Sequence, residues 1–152
     1  MKLPSKSLLM LLLCLSTAVG YSQQTVANKT RLFAATPDKI DIASELFSKL
    51  MTFSEGTEVT FPLGNGVTFN GIVLGNEMKY SNLQSMTIRS AELNNSFFSL
   101  SKITNPDNSI SYVGRIINNN ALDGYQVKKA EAGNYRLEKF ESDRILQDCS
   151  YN

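Results

Sequence analysis

The sequence predicts an α+β, mostly β domain, in which one N-terminal helix precedes an antiparallel meander of about seven strands. Apolar residues recur every three or four positions in one early stretch, and after Gly56 they alternate with polar residues instead. Clusters of Asn, Gly, Pro and Asp separate the alternating runs at short intervals, which favours antiparallel pairing between neighbours. Such a meander forms either an open sheet or a small barrel.

Residues 1–22 are typical of a secretory signal peptide. Lys2 and Lys6 supply a basic start, residues 8–15 are apolar, and small residues precede the expected cleavage after Ser22. A run of this length is too short to cross a bilayer core of roughly 30 Å, so we expect no transmembrane anchor. The protein is therefore predicted to be secreted, or exported to the periplasm or cell envelope.

The rest of the chain divides into a polar leader over residues 23–36, a single domain over residues 37–149 and a short tail over residues 150–152. The whole sequence of 152 residues carries 15 basic and 14 acidic side chains, for a formal net charge of +1. This balance does not favour binding to nucleic acid, which selects strongly basic surfaces. A protein partner is the favoured class.

The predicted helix covers residues 37–52. Thr36 can act as its N-cap, and Pro37 suits the first helical position, where a backbone N–H would have no partner. The side chains that would form its apolar stripe are Ile40, Ala43, Phe47, Leu50 and Met51.

The strands follow the helix as a series of alternating segments. In the first, Pro62 lies among alternating apolar residues and indicates a sheet edge or the end of a strand. Gly64-Asn65-Gly66 then turns the chain, because Asn and Gly tolerate the positive φ of a tight hairpin. The later strands are predicted near residues 67–73, 83–92, 96–104 and 110–118, and the last two begin at Tyr125 and Tyr135.

The chemistry-bearing residues argue against an enzyme. The chain has no histidine, which removes the commonest general base and metal ligand. Ser99 and Lys102 match an S-x-x-K pattern, but in a strand these positions face opposite sides of the sheet. Tyr125 and Lys129 match Y-x-x-x-K without the glycine-rich nucleotide turn that accompanies such a pair. We therefore predict no catalytic residues, no metal and no cofactor.

Three functional hypotheses follow from this outline. The first is an exported, non-enzymatic interaction or binding module outside the cytoplasm. The second is a lipocalin-like carrier of a small apolar ligand, and the third is a protease inhibitor or prosegment-like domain. In a carrier, the candidate ligand-lining residues are Phe61, Phe69, Phe98, Tyr112 and Ile116. The alternative role of these five residues is to fill a solid core.

Basic residues occur once on each of five successive predicted strands and would form a basic face for an acidic partner. They are Arg89, Lys102, Arg115, Lys128 and Arg136. The alternative is a mixed polar face, because acidic residues are equally frequent in this part of the chain.

Cys149 is the one cysteine left after signal cleavage, because Cys14 lies within the predicted signal peptide. A single thiol has no intrachain partner, so we expect Cys149 to be accessible and to link two chains as a disulfide dimer. The alternative is a C-terminal tail that packs against the sheet through Ile145 and Leu146 and hides the thiol.

Overall fold

Eight antiparallel strands form one sheet within residues 29–141, the part of the chain that the computed structural model describes. One short helix, α1 (Ser44–Leu50), lies between the first two strands of this part. The strands are β1 (Lys39–Ile42), β2 (Glu58–Gly64), β3 (Val67–Tyr80), β4 (Leu83–Ser90), β5 (Ser96–Thr104), β6 (Ile110–Ile117), β7 (Asp123–Lys129) and β8 (Tyr135–Glu141).

The sheet is a meander that curls into a nearly closed barrel. Strands β2 to β8 pair with their sequence neighbours, and β1 adds to the outer side of β8, so β1 and β2 are the two edges. The edges approach each other at one end, where Asn65 Nδ2 donates to the carbonyl of Ala35 at 3.0 Å. The predicted edge position of the strand that contains Pro62 is confirmed.

The predicted helix over residues 37–52 is wrong in its first half. Residues Lys39–Ile42 form strand β1, and the helix is limited to Ser44–Leu50. Within the expected apolar stripe, Phe47 is buried, whereas Ala43 is exposed and is the N-cap residue of the helix. The part of the chain described therefore contains eight strands, one more than predicted, and a helix of only seven residues.

Long-range strand pairing explains why the helix begins late. Ile40 lies opposite Leu137 and Ile42 lies opposite Tyr135 in the β1–β8 register. This pairing supplies cross-strand contacts and ladder hydrogen bonds that local helix propensity does not match. Thr36 does not cap the helix, because its hydroxyl is within hydrogen-bonding distance of the Phe33 carbonyl and the Tyr125 hydroxyl.

The barrel interior is filled with apolar side chains from all eight strands, and both ends are covered. Phe47 of α1 covers one end, and its ring lies 5.5–6.3 Å from the rings of Phe98, Tyr112 and Tyr135. Phe33, from the segment before β1, covers the other end with its ring 5.2 Å from that of Tyr125. The core therefore continues past the strands in both directions.

Side-chain amides hold the C-terminal end of α1 against the sheet. Asn76 Nδ2 of β3 donates to the carbonyls of Met51 and Phe53, each at 2.9 Å. Gln84 Nε2 of β4 also donates to the Met51 carbonyl at 2.9 Å. These bonds satisfy backbone acceptors at and just after the C-terminal end of the helix.

Candidate functional site

The five candidate ligand-lining residues all lie on the inner face of the barrel. Each of these residues is buried, with an exposure of at most 7 %; they are Phe61, Phe69, Phe98, Tyr112 and Ile116. The rings of Phe61 and Phe69 stack with centroids 5.0 Å apart, and Phe98 lies 5.6 Å from Phe61. The three rings contact one another, and Phe98 also contacts the ring of Phe47. The carrier hypothesis stays a prediction.

The five candidate basic residues do not all share one surface. Arg89, Arg115, Lys128 and Arg136 alternate with buried neighbours and so lie on the outer face of the sheet. Lys102 is in phase with inward-facing residues of β5 and lies opposite the buried ring of Tyr112 in the register with β6. Arg89, on β4, is two strands away from β6.

Three of these residues come together on β6, β7 and β8. Lys128 lies opposite Arg136, and Arg115 lies opposite Gln126, two positions along the same face. The positive charge of Arg136 is compensated by Asp41, whose Oδ1 accepts a hydrogen bond from Arg136 Nε at 2.7 Å. This hydrogen bond raises the pKa of the Arg136 guanidinium. Among residues 29–141, no acid lies within ion-pair distance of Arg115 or Lys128.

A groove of about 530 Å³ runs along the junction of β6 and β7. Its charged residues are Arg115 and Lys128, and no acidic side chain lines it. The other lining residues are Ser99, Ser101, Val113, Gly114, Ile117, Gln126 and Val127. We name this surface the β6–β7 groove. It combines apolar area with uncompensated positive charge, which suits recognition of an acidic, partly apolar segment.

The regular ladder between β6 and β7 is short, although the two strands stay adjacent. Their register contains two pairs, Arg115–Gln126 and Ile116–Tyr125, whereas β5 and β6 pair at eight positions and β7 and β8 at seven. Gly114 and Val127 are in phase with the inner face, and Val127 is buried, yet both residues border the groove.

The exposed apolar residues of β6 were not singled out in the sequence. Val113 is 48 % exposed and Ile117 is 39 % exposed. The sequence does contain a signal for them. In the pairs Tyr112-Val113 and Ile116-Ile117, two apolar residues are adjacent, so apolar side chains lie on both faces of the strand. A strand whose outer face is also apolar is typical of a covered or interacting surface.

A buried polar cluster fastens the segment before β1 to strand β7. The Asp123 carboxylate is 2 % exposed and accepts the backbone N–H groups of Leu32 and Phe33 at 2.7 and 3.0 Å. The Tyr125 hydroxyl lies in a hydrogen-bonded chain with Thr36 and the Pro37 carbonyl. This cluster has a structural role, because each of its polar groups is engaged within the fold.

Burial raises the pKa of Tyr125, and the nearby carboxylates of Asp38 and Asp123 act in the same direction. The folded protein therefore binds the phenolic proton more tightly than the unfolded chain. The stability that the protonated Tyr125 hydroxyl contributes is fully present below the ordinary tyrosine pKa of about 10. It is lost as the pH rises from there through the pKa of Tyr125 in the folded protein. We expect the stability difference between wild type and Tyr125→Phe to narrow above pH 10 in denaturant titrations. Parallel pH profiles for the two proteins would contradict this assignment.

Residues 29–141 offer neither a metal site nor a membrane-spanning helix. No group of three or more His, Cys, Asp or Glu side chains in this range could hold a metal ion. No helix in the same range is long and apolar enough to cross a membrane. The predicted signal peptide and Cys149, with its expected disulfide dimer, lie outside the described residues.

The β6–β7 groove is the candidate binding surface, because it combines exposed apolar area, basic charge and interrupted strand pairing. The aromatic core and the Asp123–Tyr125 cluster are occupied by contacts within the fold. Comparison with protein-family models, with curated proteins and with solved structures finds no match to this chain.

Proposed function

We propose that this chain is an exported, non-enzymatic interaction module that binds a protein partner through the β6–β7 groove. The observation that carries the proposal is the pairing of exposed Val113 and Ile117 with uncompensated Arg115 and Lys128 on one face. Apolar side chains supply binding energy when they are covered, and uncompensated charges supply orientation and partner selection.

The chemistry of the described residues also supports a binding role. Their polar groups in the interior are hydrogen-bonded within the fold, as in the contacts of Asp123 and Tyr125. The outer groove, in contrast, presents polar side chains such as Ser99 and Gln126 to solvent beside the apolar residues. This mixture is typical of a non-obligate protein interface, which has an apolar centre and a polar rim.

Site-specific photo-crosslinking in the full chain tests the proposal. A photoreactive phenylalanine analogue replaces Val113 in one variant and Met78, which is 61 % exposed and outside the groove, in a matched control. After irradiation in the extracytoplasmic fraction, we expect a discrete protein adduct from position 113 only. The same adduct should weaken when Arg115→Glu is added, because the charge that orients the partner is reversed.

Two outcomes would refute the proposed function. Equal crosslinking from positions 113 and 78 would show that exposure alone, and not the groove, determines the contacts. Absence of any adduct at position 113 would show that the groove is not a protein-binding surface.

A further inference from the structure

The sequence contains two Asn-Gly pairs, and the fold places them in contrasting surroundings. Asn65 and Gly66 form the turn between β2 and β3, where both are exposed and have φ values of 50° and 76°. Asn70 and Gly71 lie within strand β3. Asparagine is thermally labile, most of all before glycine, which has no side chain to hinder attack by its backbone nitrogen. The surroundings therefore decide which of the two pairs reacts.

We propose that Asn65 is a site of spontaneous deamidation and that Asn70 is protected by the sheet. The backbone nitrogen of Gly66 loses its proton to water and attacks Cγ of Asn65, which closes a succinimide ring and releases the side-chain nitrogen as ammonia. Water then opens the ring at either of its carbonyl groups and leaves aspartate or isoaspartate at position 65. The reaction consumes only water, and it is independent of the β6–β7 groove.

The β2–β3 turn reaches the reactive geometry by a local movement. The attack requires rotation of the backbone at Asn65 and Gly66. Gly66 has nothing within 4 Å of an added Cβ, so its rotation meets no neighbouring atom. The Asn65 side chain donates to the Ala35 carbonyl at 3.0 Å on the exposed surface. Opening of this turn leaves the β2–β3 pairs from Phe61–Phe69 onward intact, and such local openings cost much less than unfolding of the sheet.

Asn70 is held on both its side chain and its backbone. Its Nδ2 donates to Glu92 Oε2 at 2.7 Å and to Thr68 Oγ1 at 3.2 Å. The following glycine, Gly71, lies opposite Val59 in the ladder with β2. Rotation of this pair toward the reactive geometry would break strand pairing in the middle of β3. Deamidation of Asn70 therefore requires a much larger opening than deamidation of the turn.

Conversion at position 65 removes a contact between the two edges of the sheet. The Asn65 amide is the donor to the Ala35 carbonyl, whereas the carboxylate of either product only accepts hydrogen bonds. Two acceptor oxygens that face each other repel, so the contact is lost. Ala35 lies between Phe33, which covers one end of the barrel, and Thr36, which is bonded to the Phe33 carbonyl. Deamidation therefore loosens the cover of this barrel end.

Peptide mapping of the aged full chain tests the site. The folded protein is incubated at mildly alkaline pH below its unfolding temperature, and mass spectrometry quantifies the acid formed at positions 65 and 70. We expect acid to accumulate at position 65, as both aspartate and isoaspartate, while position 70 stays an amide. In a parallel sample unfolded in denaturant, both positions should react at similar rates, because glycine follows both asparagines.

The variant Asn65→Asp measures the structural consequence without ageing. Hydrogen exchange at the amides of Phe33 and Thr36 should accelerate about two- to tenfold, the factor that corresponds to one lost hydrogen bond. The matched control is Asn82→Asp, which adds the same charge in the exposed turn between β3 and β4 and should exchange like wild type at both amides. Circular dichroism confirms that both variants are folded.

Each part of the inference has its own refuting result. Equal conversion at positions 65 and 70 in the folded protein, or an unreacted position 65 while the unfolded sample converts at both, would overturn the assignment of the site. Unchanged hydrogen exchange at Phe33 and Thr36 in Asn65→Asp would overturn the loosening of the barrel end. The proposed function is tested separately by photo-crosslinking from position 113.

Discussion

Replacing Phe47 by alanine is expected to lower the free energy of unfolding by about 3–5 kcal/mol. Phe47 is 1 % exposed, and its ring lies within 6.3 Å of three other aromatic rings. Removal of the ring leaves a cavity at the covered end of the barrel, and the surrounding strands cannot collapse into it because the hydrogen bonds between them fix their spacing. Chemical denaturation monitored by circular dichroism measures the loss.

Lys49 provides the control on the same helix. It is exposed and faces away from the core, so Lys49→Ala should change the free energy of unfolding by less than about 0.5 kcal/mol. A loss below about 1 kcal/mol for Phe47→Ala would show that α1 is detachable from the barrel. The covering of this end of the core would then contribute little to stability.

Substitution of Asp123 by alanine is expected to have the next largest effect. The carboxylate accepts the N–H groups of Leu32 and Phe33, and its removal leaves both donors without a partner inside the fold. Each unpaired buried donor costs about 1–3 kcal/mol, so the two together should cost about 2–6 kcal/mol. Amide hydrogen exchange should accelerate at Leu32 and Phe33 before it does in the sheet.

Two comparisons make this prediction specific. Asp123→Asn retains one carbonyl acceptor for the two N–H groups, so its free energy of unfolding should lie between that of wild type and that of Asp123→Ala. Asp41→Asn removes an exposed partner of Arg136 and should cost at most about 1 kcal/mol. Unchanged hydrogen exchange at Leu32 and Phe33 in Asp123→Ala would show that the segment before β1 is held by other contacts.

The meander from β2 to β8 could be predicted because its signals are local. Alternation between polar and apolar residues specifies which face of a strand is buried, and turn residues such as Asn65 specify where the chain reverses. Asn65 and Asn108 both adopt a positive φ in the observed turns. Each hairpin is therefore encoded within about twenty residues of sequence, without reference to the rest of the chain.

The sequence pattern could not distinguish strand β1 followed by a short helix from one longer helix. The segment Lys39–Ile42 has only four residues, and its partner β8 lies almost a hundred residues later. The apolar spacing of Ile40, Phe47 and Leu50 suits a helix as well as a strand followed by a helix. Burial of Phe33 and Thr36, within the predicted polar leader, likewise depends on Asp123 and Tyr125 from a distant strand.

The candidate site was predictable only in part. The sequence pointed to Arg115, Lys128 and Arg136 as members of a basic face, and the fold places these three on adjacent strands. The alternation of Phe98 and Leu100 places Lys102 in phase with the inner face, so this residue could have been left out of the basic face on the sequence pattern alone. The sequence could not identify the pairing of Arg136 with Asp41, because these residues meet only when β1 joins β8.

The succession of antiparallel strands and the turns between them could be predicted from the amino-acid sequence, because periodicity and turn chemistry act over short distances. Only the folded chain shows that β1 extends the sheet beside β8, that Phe47 and Phe33 cover the barrel ends, and that the ladder between β6 and β7 stops after Arg115. These features depend on contacts between residues far apart in the chain. Such contacts are selected by packing of the whole core and leave no local periodic signal.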